Sequence, residues 1–457
     1  MLGRLRSFST NGNGDDQINP NDLETEAERS ARMELVKQIQ SSFYADASGV
    51  SKETATGSFA AVPLWRVQWS ELPGYQNVLN VHVAHYTHMF NSVVSAPKPW
   101  YFGHLHLPGG SENLENDAYR LCGEDSKQTR WGTLMKVSDY QQLEDGRLLL
   151  IVQARSKFKV LSATQHTPYS MAKVEVVPDV ELICQYYHFA LEKIENELTS
   201  TFTVDANSRK NIAWEAARVI CVNEGLYWED FEFRDVVVSD TINGGVEASP
   251  LANYNAAGVP PSPFDVDKAL DDFLVELRAK VESGAMCIDA LASPPLPVEL
   301  DEPEKIRAKM LGLEKEVWKD LDFLIQLLMA LSPDGNVPVP TQLLGLLPTG
   351  EDFPGGFKLN GFVERLKEER AVVGTASMSP FVSICEAAPD YSALRRAQRL
   401  SFAVWVLLDN LMAAGPGATG SIRQDVLELE SIEKRLDAAL RGLNALNLTL
   451  KKALEQR

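Results

Sequence analysis

The chain has 457 residues, 44% of them hydrophobic and 23% charged, with a formal net charge of -19. That balance supports two or three globular domains with ample core. The acidic excess repels phosphate backbones and argues against a nucleic-acid partner, and no apolar run approaches the roughly 20 residues of a membrane span.

The five cysteines, Cys122, Cys184, Cys221, Cys287 and Cys385, are scattered and include no CxxC pair. Reduced thiols in an intracellular or organellar compartment are expected. The amino terminus carries Arg4 and Arg6, several hydroxyl residues and no acid before Asp15. It reads either as a short mitochondrial or plastid presequence or as a disordered tail, with the cytoplasm as the alternative location. Residues 11–22, rich in Asn, Gly and Asp, predict disorder. Leu23, Ala27, Ala31, Leu35 and Ile39 then predict a helix to about Phe43, and a small-residue linker runs to Ser58.

Short strands follow. Trp65, Val67 and Trp69 alternate with Leu64, Arg66 and Gln68, which predicts a half-buried strand. Asp145-Gly146 between two apolar runs is a hairpin signal, and Ala172, Val174 and Val176 alternate with Lys173 and Glu175. Strands joined by tight turns predict a small closed or half-open barrel. The aromatic residues Trp65, Trp69, Trp100, Tyr101 and Trp131 are candidate contacts, although core packing explains them more simply.

His82, His85 and His88 are evenly spaced, and His104 and His106 share a face of one strand. Five imidazoles invite a zinc hypothesis, but no HExxH motif supports it, and no metal, cofactor or catalytic residue is assigned. Pro108-Gly109-Gly110 lacks the Lys and Ser/Thr of a phosphate loop. Leu114 to Arg130 reads as a loop inserted between barrel strands.

Beyond Pro178 the period changes. Leu182, Tyr186, Phe189, Ile194 and Leu198 predict a helix, Ile212 to Val222 predicts a shorter one, and Phe231 to Ser239 alternates like a late strand returning to the barrel. Residues 241–263 are a Gly- and Pro-rich boundary. Ser262-Pro263 then reads as the start of a helix carrying Leu270, Phe273, Leu274, Leu277 and Val281. After a proline-rich break at 293–303, Ile306, Met310, Leu313, Val317, Leu321, Leu324, Leu328 and Leu331 predict a long amphipathic helix from Glu304. Leu343, Leu344, Leu346 and Leu347 lie in a turn-rich segment and are expected to lie across the helices. The apolar helix after Tyr391 and the stripe Leu429, Ile432, Leu436, Leu440, Leu443, Leu446, Leu450 and Leu454 complete a predicted bundle.

Pro63-Leu64, Leu72-Pro73-Gly74, Trp131-Gly132-Thr133-Leu134, Asp145-Gly146-Arg147-Leu148, Pro168-Tyr169 and Val174-Glu175 follow one another in an order that resembles the Lon amino-terminal (substrate-binding) domain family. Tyr391 to Ser401 and Ile422 to Leu436, with Gln424, Leu427, Glu428, Arg435 and Leu436, resemble its helical bundle. The resemblance implies an α+β protein: a small PUA-like β pseudobarrel followed by a mainly helical bundle. It divides the chain into a tail and one helix at 1–58, a barrel domain with a helical insertion at 59–250, and a bundle at 262–457. It also implies binding of unfolded polypeptide or a protein partner, in protein quality control, without chemistry of its own. No GxxxxGK[ST] loop and no GxSxG elbow occurs, so a stand-alone member lacking the ATPase and protease modules is expected. Two other readings stay open: an adaptor for a separate protease or ubiquitin ligase, as cereblon is, and a metal-dependent hydrolase using the clustered histidines.

Overall fold

The computed structural model describes residues 57–198, 205–232, 264–284, 302–331, 393–413 and 422–456, with 51–53 and the positions 343, 346–347, 357–359 and 361. The helix expected at 23–43, the tail before it, Cys287, Cys385 and Leu344 lie outside these residues.

Among the described residues there are seven strands: β1 (Ser51–Glu53), β2 (Ser58–Val67), β3 (Gln76–Val81), β4 (Trp100–His106), β5 (Trp131–Gln142), β6 (Leu148–Gln165) and β7 (Met171–Val176). A helix, α1 (Ala84–Ser95), separates β3 from β4. Five strands close a ring. β2 pairs with β4 in parallel, and β4–β5, β5–β6, β6–β7 and β7–β2 are antiparallel. β3 pairs with the start of β6 and with no other strand among the described residues.

The hairpin signal at Asp145-Gly146 is realised as a five-residue turn. Leu143 N donates to Arg147 O and Gly146 N to Leu143 O, both at 2.9 Å, and Gly146 takes φ 85°. A φ in that range suits a residue with no Cβ.

The half-buried expectation for the first strand is corrected. β2 is buried on both faces, because its strands separate two cores. Leu64 belongs to one with Tyr101, Leu134, Phe158 and Val174, while Trp65 and Val67 belong to the other with Met89 and Phe90 of α1. Two glycines make room for the first core. A Cβ on Gly103 would lie 2.9 Å from Phe158 Cζ, and one on Gly132 only 2.6 Å from it. The fully buried Phe158 ring fills the space of both missing side chains.

Helices follow once the ring is complete: α2 (Val180–Leu198), α3 (Ala206–Glu232), α4 (Val266–Glu282), α5 (Pro303–Leu331), α6 (Ala393–Ala413), α7 (Ile422–Glu428) and α8 (Ile432–Glu455). The strand expected over 231–239 does not begin at Phe231, which lies within α3, and residues 233–239 lie outside the described set. β7 already supplies the closing partner for β2 and β6. α3 is also much longer than the 212–222 expected. α4 begins at Asp265, whose side chain accepts from Lys268 N at 2.9 Å, and not at Ser262-Pro263, which lie outside the described residues. On α2, Phe189 turns outward while Tyr187 and Ala190 are buried.

The stripes expected on α4, α5 and α8 point into one helical core, joined by Leu343 and Leu346. α8 lies along α5 and also packs on α6, so its apolar face is covered within the chain, with Leu448 and Leu454 exposed. The architecture is α+β, a β pseudobarrel followed by packed helices. Among the described residues no helix is long and apolar enough to cross a membrane.

Candidate functional site

The edge of the barrel at β3 and the end of β2 each present an accessible apolar side chain beside strand backbone. Val78 on β3 is 55% exposed and Trp69, just past β2, is 37% exposed. Alternation sends Leu79 and Val81 inward while Val78 and Asn80 face solvent. Trp69 is held in place: its ring stands edge-on to Trp65 at 5.2 Å. Glu71 joins the two elements, since its Oε1 accepts from Trp69 Nε1 at 3.1 Å and from Asn77 Nδ2 at 2.8 Å. Burial raises the Glu71 pKa, opposed by the hydrogen bond from Asn77 and by the nearby Arg423. The Asn77 side chain accepts from Val78 N at 2.8 Å, so part of the open edge is satisfied locally. The arrangement offers unpaired strand backbone beside a pre-oriented aromatic, which suits an extended peptide.

The histidines do not form a centre. His82 is exposed ahead of α1, His85 is half-buried, and His88 is buried on the helix face against Tyr169. His104 is buried on β4 between Trp65, at 5.4 Å, and Trp69, at 5.9 Å. Its surroundings, burial first and then His106 and Arg423, push its pKa down to about 3. Among the described residues no group of three or more His, Cys, Asp or Glu side chains is placed to hold a metal.

Of the other aromatic candidates, Trp65 and Tyr101 are core residues and Trp100 is half-buried with its indole N–H on Ala96 O at 2.7 Å. Trp131 is half-buried beneath the ammonium groups of Lys157 and Lys159. The 114–130 loop is tied down by buried Arg66, which donates from Nη2 to Tyr119 O at 2.6 Å and to Gln128 Oε1 at 2.8 Å. Gly109-Gly110 is part of a closed turn in which Asn113 Nδ2 donates to Pro108 O at 2.7 Å.

A second constellation escapes sequence reasoning. Asp179, just before α2, accepts from Lys157 of β6 at 2.8 Å, from Arg435 of α8 and from Gln398 of α6 at 2.9 Å. It fastens the barrel to the helices. α7 adds to this seam, with Gln424 Oε1 accepting from Ser70 Oγ at 2.7 Å. The segment Ile422 to Leu436 forms two helices separated at 429–431, and the break turns Leu429 O toward Lys157 Nζ and Arg435 Nη1, each at 3.0 Å.

Residues 70–222 match the family model of the ATP-dependent protease La (LON) substrate-binding domain. The Lon N-terminal domain protein from Xanthomonas campestris is 16% identical over 44% of this chain and 99% of its own, with a TM-score of 0.20. The N-terminal domain of Mycobacterium avium complex Lon protease is 12% identical over 47% of this chain and 96% of its own, with a TM-score of 0.19. A search of curated proteins found no match. The motifs from Pro63 to Glu175 and the match over 70–222 meet on one answer: this part of the chain is similar to the LON substrate-binding domain.

Proposed function

We propose that this chain is a non-catalytic recognition protein that binds extended polypeptide along the β3 edge of its barrel, with Trp69 as aromatic anchor, in the setting of protein quality control. The observation that carries the reading is the pairing of an edge strand with an exposed tryptophan fixed by Glu71. Main-chain pairing at an edge is tolerant of sequence, and that tolerance is what an unfolded client requires. A rigid indole adds contact area at small entropic cost. The match to a substrate-binding domain supports the same reading.

The test is fluorescence anisotropy of a labelled, permanently unfolded polypeptide titrated with the full chain, without nucleotide and with chelator. Saturable binding is expected. Trp69→Ala and Val78→Lys should each weaken it about tenfold, the lysine because it blocks edge pairing. Absence of binding, or binding unaltered in both variants, would overturn the proposal. Co-purification of a protease or ligase subunit in place of binding would favour the adaptor reading.

A further inference from the structure

We infer that Asn77 is a latch on the β3 edge. Its side chain holds the Val78 N–H that an incoming strand needs, and so decides how readily the edge accepts extended polypeptide. The inference rests on the recognition reading above and adds to it a residue that sets client selectivity.

The ladder shows which backbone groups face outward. Ala154 N donates to Tyr75 O at 2.8 Å, so Tyr75, just ahead of β3, faces β6. The register then runs without a shift from Gln76 opposite Gln153 to Val81 opposite Leu148. In an antiparallel ladder, bonding toward one neighbour alternates from residue to residue, and the N–H and C=O of one residue point the same way. Asn77, Leu79 and Val81 therefore bond toward β6, while Gln76, Val78 and Asn80 direct their backbone groups away from it.

The central outward donor, Val78 N, is already taken, because Asn77 Oδ1 accepts from it at 2.8 Å. The same amide donates from Nδ2 to Glu71 Oε1 at 2.8 Å, and that oxygen also accepts from Trp69 Nε1 at 3.1 Å. Glu71 is buried, so the latch hangs from a fixed point that it shares with the aromatic anchor. Asn is a poor strand former, and propensity does not account for its place in β3. A strand that sets a carbonyl opposite Val78 must first displace Asn77 Oδ1. That step exchanges one hydrogen bond for another and yields little net gain. Capture then depends on pairing at Gln76 and Asn80 and on apolar contact with Trp69. The latch therefore blunts the edge against indiscriminate pairing and favours clients that place an apolar side chain on the indole.

The test uses the full chain and the same labelled unfolded polypeptide. Asn77→Ala should bind it about fivefold more tightly than the wild type, on the scale of one hydrogen bond, whereas general damage to the edge would weaken binding. Without polypeptide, the Val78 amide should undergo hydrogen exchange several-fold faster in the variant, since its acceptor is gone. Asn77→Val, a substitution that suits a strand, should behave alike on both counts and guards against a folding defect in the alanine variant. Equal or weaker affinity in both variants, with Trp69→Ala still weakening binding, would overturn the latch and leave the recognition reading standing. Absence of binding in the wild type and both variants would overturn the recognition reading, and the selective role of Asn77 with it. Val78 exchange unchanged by either substitution would overturn the latch whatever the binding result.

Discussion

Asp179 and Arg435 lie 256 positions apart and form a two-point ion pair with both side chains fully buried. Oδ1 accepts from Nη1 at 2.8 Å and Oδ2 from Nη2 at 2.6 Å. The guanidinium is satisfied further by Ser401 Oγ, which accepts from Nε at 2.9 Å, and it stacks 4.1 Å over the Phe402 ring. Burial alone would raise the Asp179 pKa, but Arg435 and Lys157 hold it well below the usual carboxylate range.

Arg435→Met should therefore destabilise the protein by about 3–5 kcal/mol, because it leaves a buried carboxylate with too little compensation. Urea unfolding measures this, and a loss below about 1 kcal/mol would count against the role assigned to the pair. Replacing Asp179, Lys157 and Arg435 together by Leu, Met and Met should recover most of the loss, since well-packed apolar groups can substitute for a buried ion cluster.

Gly132→Ala should cost more than its single methyl suggests. The new Cβ would lie 2.5 Å from the His104 carbonyl oxygen and 2.6 Å from Phe158 Cζ. Backbone cannot yield as a side-chain tip does, so a loss of about 1–3 kcal/mol or more is expected. Combining it with Phe158→Leu should relieve part of the clash. Thermal unfolding of the two single variants and the double variant reads the coupling, and strict additivity would contradict a shared space.

What could be read from sequence was local. The Asp145-Gly146 turn and the α5 stripe from Ile306 to Leu324 rest on spacings within one element, and both appear as expected. Ring closure rests on the parallel β2–β4 pair and on β7 returning to β2, and no local pattern encodes such partners. The same limit hid the seam: nothing local to Arg435 or Lys157 shows that the fold places Asp179 between them. Around Phe231, a Phe-x-Phe spacing fits a strand as well as a helix, and continuing α3 keeps its backbone bonds satisfied. Trp69 was visible as an aromatic at the end of a strand, but its exposure and the Glu71 bond that orients it depend on how the segment before β3 folds back.

Glu181 should prove to be the cap of α8. Its two carboxylate oxygens accept from Ile432 N at 3.1 Å and from Glu433 N at 2.9 Å, so a side chain of α2 satisfies the first turn of a distant helix. Glu181→Ala should cost about 1–2 kcal/mol. Amide exchange at Ile432 and Glu433 should quicken, while the Lys434 amide, which Ser431 Oγ accepts at 3.1 Å, should change least. Equal acceleration at all three amides would mean that α8 had shifted as a whole.

Acidification should weaken the barrel through His104 before the seam carboxylate is protonated. The folded pKa of His104 is lowered to about 3 from an ordinary value of 6.5. The unfolded chain therefore binds a proton that the folded chain refuses as pH falls below about 6.5, and stability declines from there toward pH 3. Asp179, also lowered, loses its contribution only as pH falls below its ordinary value of 3.8. At about 1.4 kcal/mol per pH unit for one proton, His104 accounts for a loss on the order of 2–3 kcal/mol between pH 6.5 and 4.5. His104→Leu removes the titrating group at similar volume, and its stability should be flatter than that of the wild type over the same interval. Parallel pH profiles for the two proteins, measured by urea unfolding, would show that His104 is not the group that titrates.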